Sequence, residues 1–461
     1  MIGVRYGLAL AQRAGHGLHV ILAGFRPRPP GPGARAAAHP TPAGLAGALA
    51  RVDTMLARDV LPHWTRESWD ETGGGGFVTR RDRAGRPLPS LDRQLVGQAR
   101  MVWTLAAAHR HGLTGRGYLQ LAGRGVRFLL ERMWDPAHGG FVLAVAAGGA
   151  VVDGSKDVCA QAYALHALGE YALAARDAEA LAAAGRHFDV LARRAGDGAT
   201  GYPDRLNRDW TPAPGGAGRS AGTHLHLLSA FGTLAEASRL AAHREALDRV
   251  TDLLLTRAID RRHGCAIDRL DAGEGASRFA HGPRITSYGH SAEMAWMLLD
   301  ALDRLGRPRE PVRGAILGLV EHALAYGFDW RRGGLAHYGP LRGHVARAVY
   351  LSPRRLDKLW WPQAEVVVAL GEAYRWTGDA GYWAALVRQL DWIGRYQADR
   401  EGGDWWTATT WRGRPRPAPA RHGKIDPYHH GRALMRVGRT LRLLARKPVG
   451  GAPIAGPGGL R

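Results

Sequence analysis

Along most of the chain apolar residues return every three or four positions in stretches of roughly twenty residues, the period of a helix with a buried side. Twelve such stretches fall into six pairs. The first members cover roughly 45–62, 117–134, 178–195, 241–259, 308–325 and 380–398, and the second members 91–113, 158–177, 222–240, 288–306, 358–377 and 427–446. Between the members of each pair a glycine followed by a hydrophobic residue recurs: Gly76-Phe77, Gly140-Phe141, Gly201-Tyr202, Gly264-Cys265, Gly334-Leu335 and, altered, Gly403-Asp404-Trp405. The intervals of 64, 61, 63, 70 and 69 residues mark a structural repeat. Each marker opens a short polar segment with turn residues, which predicts a small hairpin or loop excursion.

The second helix of each pair is apolar on most sides, as in Ala160 to Leu168 and Ala292 to Leu302. Such a helix must be buried on most sides. Six of them therefore form an inner ring and the other six an outer one. The predicted fold is all-α, an (α/α)6 barrel of six helical hairpins with short β-hairpin or loop excursions, over residues 45–446. Residues 1–44, Pro/Gly/Ala-rich from near Pro27, are expected to be a flexible leader, and 447–461 a disordered tail.

Polar residues are not scattered over these helices. They gather at or near the N-terminal ends of the inner set: Gln98 and Arg100; Lys156 and Gln161; His224 and His226; His290 and Glu293; Lys358, Trp361 and Glu365; Lys424, His429 and Arg432. With the inner helices running the same way, the six groups converge on one end of the central cavity, where helix N-termini also direct their partial positive charge. The run Ser287 to Trp296 sets His290, Glu293 and Trp296 three residues apart, and hence on one face. Alone it reads as a core helix with an incidental imidazole and carboxylate. As one of six converging ends it becomes the wall of a site.

Composition narrows the function. With 461 residues, 45% of them hydrophobic, the chain can bury a large core, yet no apolar run is long enough to span a bilayer. Two cysteines outside any C-x-x-C pair speak against disulfides or structural zinc and fit a reducing, cytoplasmic compartment. The formal charge of +22 is nearly all arginine spread along the chain. That reads as a solvated surface and not as a nucleic-acid footprint. Only four lysines occur, Lys156, Lys358, Lys424 and Lys447, and three lie in the stretches singled out above. Those places are expected to need an ammonium group in particular.

The cavity is expected to hold His226, His290, His429, Glu293, Glu365, Arg100, Lys156 and the tryptophans Trp103, Trp296, Trp360, Trp361 and Trp405. Aromatic walls with interleaved polar groups suit carbohydrate. Two histidines suit proton transfer at carbon near neutral pH. His224 and His226 diverge on a helix, as do His429 and His430, so one of each pair at most faces inward. His290 and Glu293 alone do not make a metal site, and neither a metal nor another cofactor is expected.

Six runs carry a resemblance that covers about Leu56 to Leu443: Gln98-Ala-Arg-Met-Val-Trp103, Lys156-Asp-Val-Cys-Ala-Gln-Ala-Tyr163, Thr223-His-Leu-His-Leu-Leu228, Ser287-Tyr-Gly-His-Ser-Ala-Glu-Met-Ala-Trp296, Asp357-Lys-Leu-Trp-Trp-Pro-Gln-Ala-Glu365 and Pro427-Tyr-His-His-Gly-Arg432. In these the chain resembles the N-acylglucosamine 2-epimerase superfamily, and within it the cellobiose 2-epimerases. The resemblance implies an (α/α)6 barrel and cofactor-independent epimerisation of a mono- or disaccharide at C2 through a cis-enediolate. By it, His290 and His429 flank C2, His226 binds the sugar and assists ring opening, and Arg100 stabilises the enediolate oxygen. Glu293 and Glu365 orient the histidines and bind substrate hydroxyls, and Trp361 and Trp296 shape the sugar subsites; Lys156 and Trp405 are also expected to bind substrate. The protein is expected to act as a monomer or homodimer without nucleic-acid or membrane partners.

The sequence departs from the cellobiose 2-epimerases at Gly222, where asparagine is usual, at Cys159 for tyrosine, at Ser291 for aspartate and at His430 for asparagine. Gly222 and His430 are expected to alter hydrogen bonds to the substrate. Protonation at C1 in place of C2 would make an aldose–ketose isomerase. An inverting glycoside hydrolase using Glu293 and Glu365, and a sugar-binding protein without turnover, are the other readings.

Overall fold

The computed structural model describes residues 38–446, apart from 72–73, 85, 89–91, 114–116, 197–199, 215–217, 272–276, 281–283, 344, 346–355 and 417–425. The expected tail from 447 onward, most of the expected leader, and Lys424 lie outside the described residues. Among the described residues twelve long helices appear in the predicted order. The outer set is α1 (Pro42–Thr54), α3 (Tyr118–Phe128), α5 (Ala178–Arg194), α7 (Ala241–Arg257), α9 (Arg313–His322) and α11 (Ala380–Trp392). The inner set is α2 (Leu95–Arg110), α4 (Val158–Ala175), α6 (Ala221–Ser238), α8 (Tyr288–Leu305), α10 (Trp360–Thr377) and α12 (Tyr428–Ala445). Each inner helix packs on the next, and α12 closes the ring against α2. The first outer helix begins at Pro42, not 45, because the Thr41 hydroxyl accepts from the Gly44 amide and Pro42 suits the first turn.

The inner helices are buried along nearly their whole circumference. In α8 the buried positions run from Tyr288 and Gly289 through Ala292, Met294, Trp296 and Leu298 to Leu305. The starts of three inner helices are fixed by side-chain caps: Asp157 accepts from the Ala160 amide, Ser220 from Thr223 and Ser287 from His290.

The Gly-hydrophobic markers turn out to be one joint used six times. Preceding residues pair across the turn as short antiparallel bridges, as in Trp69 with Phe77, Trp134 with Phe141, Phe328 with Leu335 and Ala398 with Trp405. The marker glycine takes a left-handed backbone. At Gly201 φ is +94°, and a Cβ would stand 2.4 Å from His224 Nε2, so only glycine fits without displacement. The residue after the glycine, or at the fourth joint the one beyond it, is then gripped by the next inner helix. Gln98 holds the Phe77 backbone at both N–H (2.6 Å) and C=O (2.8 Å), and Gln161 and Gln363 do the same for Phe141 and Leu335. His224 Nε2 accepts from Tyr202 N–H, Ser291 Oγ from Ala266 N–H, and His430 Nε2 meets Asp404 Oδ1.

Short strands tie neighbouring repeats together at the same end. Asp92–Gln94, Lys156–Asp157, Ile285–Ser287 and Lys358–Leu359, each leading into an inner helix, pair antiparallel with strands of the next excursion. The N-terminal ends of the inner helices are thus fixed from both sides.

Candidate active site

The six clamps set the rotational register of the inner helices. Gln98, Gln161, His224, Ser291, Gln363 and His430 point outward to the excursions. Two residues on, about 200° round the helix, the side chain must face the axis. Those positions are Arg100, Tyr163, His226, Glu293, Glu365 and Arg432. The residue before each clamp lies three positions from the inward one and shares its face; on α8 and α12 it is His290 and His429.

These groups form a connected floor. Arg100 donates to Asp426 Oδ2 (2.9 Å) and to Tyr163 Oη (2.5 Å). Because a guanidinium only donates, the Tyr163 hydroxyl proton is directed at His226 Nε2, 2.8 Å away. The network therefore places the His226 proton on Nδ1. Burial, reinforced by the charges of Arg100 and Arg432, pushes the His226 pKa well below its ordinary value, and burial pushes Tyr163 well above its own despite Arg100. His226 is thus a neutral imidazole and Tyr163 a neutral phenol.

Opposite them, Arg432 is sandwiched between Trp296 and Tyr428, its guanidinium 4.8 and 4.5 Å from their ring centres. It donates to Glu293 Oε1 (2.9 Å), Glu365 Oε1 (2.8 Å) and Tyr428 Oη (2.9 Å). Glu365 also accepts from Trp296 Nε1 at 2.8 Å and bonds His429 Nδ1 at 2.7 Å. Burial alone would raise the Glu365 pKa; Arg432 and His429 outweigh it and hold the carboxylate well below the usual range.

The two histidines are mounted alike. His429 has Nδ1 on Glu365 and Nε2 3.5 Å from Arg100, and His290 has Nδ1 3.2 Å from Asp268 Oδ1. A carboxylate on Nδ1 leaves Nε2 as the working nitrogen of each ring. Burial disfavours the His290 cation, but the bond and charge of Asp268, with Glu293 and Glu365 behind it, raise its pKa overall. Trp361 packs near both, its ring centre 5.0 Å from that of His290 and 5.9 Å from that of His429.

Glu293, Glu365 and His429 bring one donor atom each within 4.8 Å of one another, as metal ligands would be among the described residues. Oε1 of each glutamate accepts from Arg432, and Glu365 Oε1 bonds His429 as well. The cationic role in this trio belongs to the guanidinium.

The structure brings together His290, His429, His226, Arg100, Glu293, Glu365 and Trp361. Trp296 supports Glu365 and Arg432 from a buried position behind them. Two expected binding residues lie elsewhere. Lys156 is fully buried outside the floor, its Nζ 3.0 Å from Asp135 Oδ2 and facing the Trp210 ring. It fastens a loop, because its position two residues before α4 points into the excursion. Trp405 is buried against His430 and belongs to the sixth joint. His430 and Ser291 hold loops as well, so their departures from the resembled pattern alter clamps and not substrate contacts. Gly222 does leave open space: a Cβ there would meet only Ser220 Oγ, at 3.9 Å.

Sequence reasoning left Tyr163, Asp268, Asp426 and Tyr428 out of the site and counted Arg432 only among the converging ends. The two-residue offset from the clamps would have found Tyr163 and Arg432. Asp268 and Asp426 lie in loops, where no period points to them.

Comparisons agree with the arrangement. The cellobiose 2-epimerase of Bacteroides fragilis is 27% identical over 396 residues, covering 82% of this chain and 95% of that one. That of Eubacterium cellulosolvens is 26% identical over 411 residues, with 83% and 96% covered. The cellobiose 2-epimerase structure from Spirochaeta thermophila superimposes with a TM-score of 0.74 at 27% identity, covering 87% of this chain and 98% of that one. No helix among the described residues is long and apolar enough to cross a membrane. The model of the N-acylglucosamine 2-epimerase (GlcNAc 2-epimerase) family matches residues 75–433, which span all six inner-helix N-termini and the floor they build, and the chain belongs to that family.

Proposed function

We propose that the protein is a sugar 2-epimerase acting at the reducing-end aldose of a mono- or disaccharide of the cellobiose, glucose, mannose or N-acylglucosamine type. The carrying observation is the pair of carboxylate-mounted histidines, His290 on Asp268 and His429 on Glu365, both packed near the Trp361 ring. In the open-chain sugar the C2 proton is acidified by the neighbouring carbonyl. One histidine removes it through Nε2 to give a cis-enediolate, and the other delivers a proton to the opposite face. Arg100, beside His429 Nε2, meets the negative oxygen. His226, neutral and held by Tyr163, binds the sugar and assists ring opening.

Hydrolysis fits the carboxylates poorly. Inverting hydrolases keep theirs about 6.5–9.5 Å apart with one protonated. Here Glu293 and Glu365 place oxygens within 4.8 Å across one guanidinium, and Glu365 is held ionised.

Incubation with cellobiose, glucose, mannose and N-acetylglucosamine in D2O, followed by NMR, tests the reading. Deuterium at C2 with appearance of the C2 epimer is the expected result, and its absence across a broad sugar panel refutes it. A ketose product would assign the aldose–ketose reaction. His290→Asn and His429→Asn should each abolish epimerisation with circular dichroism unchanged.

A further inference from the structure

We infer that Asp268 is the positioning residue of His290, setting its ring orientation and holding it as the proton donor toward C2; this rests on the proposed role of His290. Asp268 sits in the excursion between α7 and α8, and its backbone is anchored on both sides. Its C=O accepts from Ala221 N–H, the first residue of α6, at 2.8 Å, and its N–H donates to Arg278 C=O at 3.0 Å. The carboxylate divides its work: Oδ2 accepts from Ala280 N–H at 2.9 Å, and Oδ1 lies 3.2 Å from His290 Nδ1. A carboxylate so fixed dictates which face of the imidazole reaches the cavity and keeps a proton on Nδ1.

The two histidines are thereby made unequal. Glu365, behind His429, shares its charge with Arg432 and lends an oxygen to Trp296, while Arg100 stands near His429 Nε2. Around His290 the facing groups are Asp268 from the loop, Glu293 from its own helix, Glu365 from α10 and the neutral rings of Trp361. Among the described residues the charged groups acting most strongly on His290 are thus carboxylates, whereas Arg100 stands beside His429 Nε2. Asp268 is the carboxylate bonded to His290 Nδ1, and in the proposed reaction it holds that ring as the proton donor.

Asp268→Asn keeps the shape and removes the charge. On the scale of a charge-assisted hydrogen bond, kcat should fall about 10- to 100-fold with KM within about threefold. The alkaline limb of the kcat profile should move to lower pH, since His290 then loses its proton more readily. In D2O, wash-in of deuterium at C2 should persist for the epimer whose C2–H faces His429, while epimerisation slows. In the His290→Asn background, Asp268→Asn should change residual wash-in less than twofold, because it acts through that ring. Asp268→Glu, which restores the charge, should recover part of the rate lost in Asp268→Asn. An unshifted pH limb in Asp268→Asn, or equal loss of wash-in for both epimers that adds to the loss in His290→Asn, would overturn the inference. Full activity in His290→Asn alone would instead reject the role proposed for His290.

Discussion

Arg432→Met isolates the electrostatic logic of the floor. The guanidinium is 2% exposed and is bonded to both Glu293 and Glu365. Methionine fills part of the slot between Trp296 and Tyr428 but leaves two buried carboxylates facing each other. Breaking a buried ion pair by removing one partner costs about 3–5 kcal/mol, and equilibrium urea unfolding followed by tryptophan fluorescence should show a loss of that size. The pH dependence should change sign as well. In the parent protein the Glu365 carboxyl is depressed from 4.5 to about 2 by Arg432 and His429 against its burial. Its contribution is therefore complete above about pH 4.5 and is lost as the pH falls toward 2. In Arg432→Met one of the two facing carboxyls is raised above its unfolded value, so stability should decline as the pH rises between about 5 and 7. Adding Glu293→Gln should restore about 1 kcal/mol or more by removing one of the stranded charges. A loss under about 1 kcal/mol with the parental pH dependence would refute the assignment of Arg432 as the compensating charge.

Three further outcomes follow from the joints. Gly201→Ala should destabilise by about 2–3 kcal/mol in urea unfolding, since the added Cβ would stand 2.4 Å from His224 Nε2 at φ +94°. Burial pushes Lys358 down from 10.5 to about 8, partly offset by Asp329; the folded form thus releases its proton first, and stability should rise between about pH 8 and 10.5 relative to the Asp329→Asn, Lys358→Met double variant. Lys156→Arg should lose about 1–3 kcal/mol by overpacking while leaving KM for the sugar unchanged, and a raised KM would return Lys156 to the binding site.

The barrel is legible in the sequence because two periods coincide: the helical repeat of apolar residues, and the marker glycine returning every 61–70 residues. The convergence of Arg100, His226, His290, Glu293, Glu365 and His429 is legible for the same reason, since each sits within the first two turns of an inner helix. What escapes is the distinction between clamp and cavity. His224 and His226, or His429 and His430, look equivalent in sequence, and only the bonds to Tyr202 and Asp404 show which member faces outward. The aromatic ring of Trp405 suggests a place in the site, although its position one residue after Asp404 commits it to a joint. Asp268 was invisible because loop residues obey no helical period; its role comes from an anchored backbone that only three dimensions reveal.

The lysines show how composition and geometry combine. The chain uses arginine so heavily that a lysine marks a place where a guanidinium fails. Lys156 and Lys358 both bury an ammonium against an aspartate, Asp135 and Asp329, and against an indole, with Lys358 Nζ 3.4 Å from the Trp392 ring centre. Beside Lys358 the marker Gly334 is so close that a Cβ would meet the lysine Cδ at 2.5 Å, leaving no width for a planar fork. Arg432 presents the converse case: two carboxylates and a phenol lie around it in one fan, which a single ammonium could not span while stacking between Trp296 and Tyr428. At both described positions the ammonium is buried in a joint and not in the floor of the site. Cation type reports packing geometry here, and the chemistry is carried by the side chains two residues farther along each inner helix, together with the histidines that share their face.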